Sequence, residues 1–234
     1  MATILGGNRR IVRIRAGDAQ LEGAYESPGV ARGVVVFAHG SGSSRMSPRN
    51  RFVANELRRA GFATLLCDLL TEEEDAHGAQ RFDIELLTRR LHAAVTWVQN
   101  EPDATALPIA LFGASTGAAA ALQVAAELGD EIAAVVSRGG RPDLAGDEAL
   151  ARVTAPTLLI VGGHDIEVIQ LNEAALARLR CPKSVAVVQG ATHLFEEPGA
   201  LARVAALASE RLIRHVRVDP RVAAVNPIAK GAPS

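Results

Sequence analysis

The feature that most constrains this chain is a series of short apolar runs with no polar break, spaced by segments of helical periodicity. VVVFA (34–38), ATLLC (63–67), PIALFG (108–113), IAAVVS (132–137), PTLLIVGG (156–163) and SVAVVQG (184–190) are rich in β-branched and aliphatic residues. A strand apolar at every position has both faces covered, whereas strict alternation marks a strand with one face in solvent. IVRIR (11–15) and LEGAYE (21–26) alternate in that way and read as edge strands. Between the continuous runs, residues 49–60 carry Phe52, Val53, Leu57 and Ala60 at helical spacing. Residues 81–99 carry Ile84, Leu87, Leu91, Ala94, Val95 and Val98, and further helical segments cover 116–128, 169–179 and 199–215. Strands alternating with helices predict an α/β fold: a mostly parallel sheet of about eight strands with helices on both faces. In such a sheet the ligand crevice lies beyond the carboxyl ends of the strands.

Residues 1–217 read as a single domain. The tail 218–234, with Pro220, Pro227, Gly231 and Pro233, has no usable periodicity and is expected to be extended or disordered. No long insertion separates the runs at 132–137 and 156–163, so no large lid domain is expected.

Composition narrows the partners to a small-molecule substrate. Hydrophobic residues make up 48 %, enough for a sizeable core, while aromatics at 3 % argue against a base-stacking surface. A net charge of −1 offers no attraction to nucleic acid. No segment is long and apolar enough for a signal peptide or a membrane span, so a cytoplasmic protein without membrane association is expected, as monomer or homodimer. Cys67 and Cys181 lie far apart without metal-type spacing and read as buried reduced thiols.

The sharpest local signal is Gly113-Ala114-Ser115-Thr116-Gly117, directly after PIALF and directly before an alanine-rich helix. A nucleophile on a strained strand-to-helix turn needs small residues two before and two after it. The helix N-terminus then sets free N–H groups beside a developing oxyanion. A second signal is His39-Gly40-Ser41-Gly42, at the carboxyl end of VVVFA. Its glycines let backbone N–H groups turn inward, so Ser41 and Thr116 are the candidate oxyanion-hole amides. His39 reads as a loop-ordering residue rather than a catalytic base.

Asp165 follows the run TLLIVGG, and His193 follows the last one. The order Ser115, Asp165, His193 places each member after a separate strand: nucleophile, tautomer-fixing acid and proton acceptor. Glu167 and Asp143 are rival acids. His164 reads as shaping its turn, His77 sits in an acidic loop, and His92 and His215 lie on helix surfaces. None has metal-site spacing, so neither a catalytic metal nor a cofactor is expected. Arg138, Arg45 and Arg49 lie near the expected crevice, where a guanidinium suits a carboxylate or phosphate. Arg138 could equally pair with Asp68. Glu72-Glu73-Glu74-Asp75 reads as a solvated loop.

With HGSGSS, GASTG, GGHD and GATHLF in place, the chain resembles a dienelactone-hydrolase-related branch of the α/β hydrolases over about residues 30–215. The resemblance implies acyl-transfer hydrolysis. Dienelactone hydrolases proper use a cysteine nucleophile, whereas position 115 is serine, so the dienelactone reaction itself is not implied. Cleavage of a small acyl ester or thioester through a Ser115 acyl-enzyme is the leading expectation. The alternatives are anionic carboxylate-bearing or lactone substrates held by Arg138 or Arg45, and a non-catalytic binding module on the same fold.

Overall fold

A strand covered on both faces must send alternate side chains into two different cores. The computed structural model, which describes residues 8–217, shows this at Val34–Ala38 (β3). Val34, Val36 and Ala38 enter one apolar cluster; Val35 and Phe37 enter the other. The same division holds along Ala63–Cys67 (β4), Ile109–Ala114 (β5) and Ile132–Arg138 (β6). With Asn8–Ala16 (β1), Ala19–Ser27 (β2), Thr157–Gly162 (β7) and Lys183–Val188 (β8) they form one eight-stranded sheet, ordered β1-β2-β4-β3-β5-β6-β7-β8. Only β2 runs against its neighbours.

Two strand readings need correction. LEGAYE, expected at an edge, lies in β2 between β1 and β4; its alternation reflects one face packed on the core and the other turned outward, not an open edge. SVAVV, expected to be covered on both faces, forms the outer strand β8, where only Val188 is fully buried.

Helices Pro48–Arg59 (α1) and Ala200–His215 (α7) cover one face, through Val53, Leu57, Val204, Ala208 and Leu212. Helices Ile84–Asn100 (α3), Thr116–Leu128 (α4), Asp147–Arg152 (α5) and Ile166–Arg178 (α6) cover the other. Helix starts follow capping chemistry. Ser47 accepts from the Asn50 amide with Pro48 in the first turn of α1, and Asp83 accepts from Leu86 at the start of α3. The acidic stretch expected as a solvated loop is instead a short helix, Glu72–Ala76 (α2). Thr71 and Glu74 form a reciprocal capping box there, and four carboxylates sit at the positive end of its dipole. The expectation for 218–234 lies outside the described residues, among which no helix is long and apolar enough to cross a membrane.

The second cluster hinges on Phe37 and Phe112, fully buried neighbours with ring centroids 4.8 Å apart. Phe112→Ala should destabilise the protein by about 3–5 kcal/mol in urea unfolding. Ile11→Ala on the exposed side of β1, 60 % exposed, should stay within about 0.5 kcal/mol of wild type. Equal losses would show that β1 is covered in solution.

Candidate active site

Ser115 links β5 to α4 with φ 50° and ψ −123°, one of two non-glycine residues with positive φ among the described residues. Such a conformation costs of order 1–3 kcal/mol and persists only where the surroundings fix it. They do so through glycine. A Cβ on Gly117 would lie closer than 3.0 Å to the carbonyl oxygens of Ala38 and His39, and one on Gly113 would strike the α4 backbone at Ala118. A Cβ on Gly40 would lie 2.8 Å from Ser115 Cβ. The four-residue spacing of Gly113 and Gly117 is therefore what lets β5, α4 and the end of β3 meet at Ser115.

The same contacts place the two candidate oxyanion donors. Thr116 is the first residue of α4, where an amide has no acceptor within the helix. Ser41 lies in the turn closed by Ser43 N–H on Gly40 O (3.2 Å). Among the described residues neither amide has a protein acceptor outside regular elements. His39 holds this loop as expected. Its Nδ1 donates to Gly40 O (2.9 Å) and its Nε2 accepts from Leu69 N–H (2.9 Å), which fixes the neutral tautomer. Burial lowers its pKa.

His193 and Asp165 meet across two loops. His193 Nδ1 lies 2.6 Å from Asp165 Oδ2. Here too glycine sets the approach: a Cβ on Gly162 would lie 2.6 Å from the carbonyls of Ala191 and Thr192. The imidazole side chain is 38 % exposed, open to a ligand, while the carboxylate is 16 % exposed behind it. Ser115 and His193 both border the end of β6. Ser115 N–H donates to Arg138 O (3.3 Å), and Gly139 packs against His193. The described hydrogen bonds include none between Ser115 Oγ and the imidazole. The rival acids sit elsewhere, Asp143 paired with Arg141 (2.7 Å) and Glu167 exposed in the first turn of α6.

The remaining candidates separate cleanly. Arg45 is tied to Asp68 and Glu22, so Asp68 is taken by Arg45 rather than by Arg138. Arg138 lies buried near Asn50 and over the Phe195 ring. His164 is exposed beside Asp165, and His77 closes α2 through Glu73 O. Cys67 and Cys181 are buried and free, with burial pushing the Cys67 thiol up to about 12. No group of three or more His, Cys, Asp or Glu among the described residues is arranged to hold a metal ion. Sequence reasoning missed Phe195 (φ 56°) and Asn50, which surround Arg138. The HLF that follows the histidine loop gives no hint of left-handed backbone.

The Dienelactone hydrolase family matches residues 21–217. A solved dienelactone hydrolase from Anabaena variabilis superposes with TM-score 0.88 at 52 % identity, covering 90 % of this chain and 99 % of that one. Est1E from Butyrivibrio proteoclasticus shares the fold at TM-score 0.75 and 16 % identity, covering 88 % and 98 %. A Mycobacterium tuberculosis protein named "Putative phosphoribosyl transferase" is 56 % identical over 205 residues, which is 88 % of this chain and 46 % of that protein. The chain thus spans about half the length of the curated relatives it matches.

The buried His39 makes a pH prediction. Above its ordinary pKa of 6.5 the ring is neutral whether folded or unfolded, and its titration contributes nothing. As pH falls through 6.5 the unfolded chain binds a proton that the folded protein resists. Stability then declines by up to ~1.4 kcal/mol per pH unit until the lower folded-state pKa is reached. The stability advantage of wild type over His39→Gln, measured by urea unfolding, should therefore shrink between about pH 7 and pH 5. A constant difference would contradict a buried neutral imidazole.

Proposed function

Since the chain belongs to the dienelactone hydrolase family, we propose that it is a serine hydrolase that cleaves an ester or thioester of a small acyl substrate through a Ser115 acyl-enzyme. The observation that carries this reading is the 2.6 Å His193–Asp165 pair at the same end of the sheet as a serine on a strained strand-to-helix turn. Asp165 accepts a hydrogen bond from Nδ1–H and leaves Nε2 as the base. Ser115 Oγ attacks the carbonyl carbon while its proton passes to His193 Nε2. The resulting oxyanion is received by the Ser41 and Thr116 N–H groups. The imidazolium then protonates the leaving alkoxide or thiolate, and water repeats the sequence to release the acid.

A small substrate follows from how little chain stands above the site. The β6–β7 connection holds one short turn, Pro142–Ala145, and the six-residue α5, too little to roof a deep acyl tunnel. The transferase name of the mycobacterial relatives is said of proteins that this chain only half spans. A nucleophile on a strained turn and a carboxylate-held imidazole favour acyl hydrolysis for the part it does span.

A fluorophosphonate probe should label wild type and leave Ser115→Ala unlabelled. Asp165→Asn, which favours the wrong tautomer, should lower kcat by roughly 10,000-fold with the fold intact. Labelling that survives loss of Ser115 would sink the assignment.

A further inference from the structure

Arg138 has a feature that ester chemistry at Ser115 leaves unused. It ends β6 beside Ala114, and its side chain is buried, the residue being 7 % exposed. Among the described residues no carboxylate pairs with it. Arg90, buried to the same degree at 5 %, shows the ordinary arrangement: it binds Glu74 and the Ala16 carbonyl. Arg138 has instead one long contact, Nη2 to Asn50 Oδ1 at 3.4 Å, and lies 5.9 Å from the Phe195 ring centroid. Its Nε is sealed from solvent without a partner, as are those of Arg45 and Arg90, so the missing carboxylate is what sets Arg138 apart. Among the described residues its Nη1 has no partner either, but it is not sealed, so the guanidinium keeps one edge open.

The surroundings add positive charge rather than cancel it. Burial and the nearby Arg49 pull the Arg138 pKa down to about 10. Arg49 holds Glu196 through Nη1 (2.9 Å), yet its own Nε is also buried without a partner. Both arginines stand at the first turn of α1, a twelve-residue helix whose Ser47 cap takes the Asn50 amide and leaves the Arg49 amide over. A buried cation beside a second cation and a helix N-terminus is costly unless an anion joins them.

We propose that Arg138, Arg49 and Asn50, at the first turn of α1, form a binding site for a small oxyanion, a carboxylate or phosphate group, beside the candidate nucleophile. The forked guanidinium suits two oxygens of one group. The site itself does not depend on Ser115 chemistry. Only the role of the anion, as part of the substrate or as a free ion, rests on the hydrolase reading.

Ser115→Ala protein, which cannot turn over, allows the binding test. Inorganic phosphate, against chloride at equal ionic strength, should raise its unfolding midpoint saturably, by roughly 3–6 °C at ten times the dissociation constant. Adding Arg138→Met should abolish the rise. No rise, or an equal rise in both proteins, would overturn the site. Should the double variant not fold, phosphate titration of the single variant must move a buried arginine Nε–H resonance, and no movement is equally fatal. Wild-type kinetics then separate the two sources. For an anion carried by the substrate, phosphate competes with p-nitrophenyl hemisuccinate and not with p-nitrophenyl acetate. Arg138→Met then lowers the charged-to-neutral ratio of kcat/KM by about tenfold or more. For a free ion, phosphate changes both esters alike. If fluorophosphonate labelling fails while the phosphate rise persists, the nucleophile assignment falls and the anion site stands.

Discussion

How closely helix α4 can approach the carboxyl ends of β3 and β5 sets the geometry of everything above the sheet. Gly117 presses its backbone against the carbonyls of Ala38 and His39, and Gly113 presses against Ala118. That contact holds Ser115 at positive φ, with Ser115 N–H bound to Arg138 O and Ser115 O accepting from Ala118 and Arg141. The strain, of order 1–3 kcal/mol, is small beside the burial of the first two turns of α4, where residues 116–122 are all inside. Their small side chains bring the helix axis near the sheet, so the cost of the turn and the means of sustaining it lie in one segment.

The other half of the site uses the same device. Gly162 lets the end of β7 slide under the Ala191 and Thr192 carbonyls, and Gly139 gives room to His193. Each candidate catalytic side chain is thus positioned by a backbone-to-backbone contact that any Cβ would obstruct. This is why the candidate site is legible in the sequence. GASTG, GGHD and HGSGSS display their glycines openly, and the two-faced apolar runs place those glycines at strand ends.

What the sequence concealed is mostly a matter of neighbours. Periodicity reports how much of a strand is covered, not by what, so β2 and β8 exchanged the roles expected of them. The acidic run 72–75 looked like solvated charge because its partners, Arg90 and the Arg81 fork on Asp75, lie later in the chain. Asp68 was within reach of two arginines by topology; Arg45 took it, aided by a backbone bond from Arg45 N–H at 2.7 Å. Left-handed Phe195 had no glycine to announce it.

Arg45 and Arg138 show why fold likeness cannot supply a substrate. Est1E shares this architecture at 16 % identity, and architecture alone fixes neither charge nor its compensation. Both arginines stand at the carboxyl side of the sheet, and residue type alone would give them one role. Arg45 meets two carboxylates and closes on itself as structure. Arg138 meets an amide oxygen at a long distance, an aromatic ring and another cation. Desolvation is paid for at Arg45 inside the chain, whereas at Arg138 no carboxylate of the described residues offsets it. A buried charge lacking its counterpart is either an instability that a neutral side chain would relieve, or half of a pair whose other half arrives with a ligand. Its position, in register with Ala114 and with its carbonyl bound by Ser115 N–H, favours the second: the uncompensated charge lies next to the candidate nucleophile.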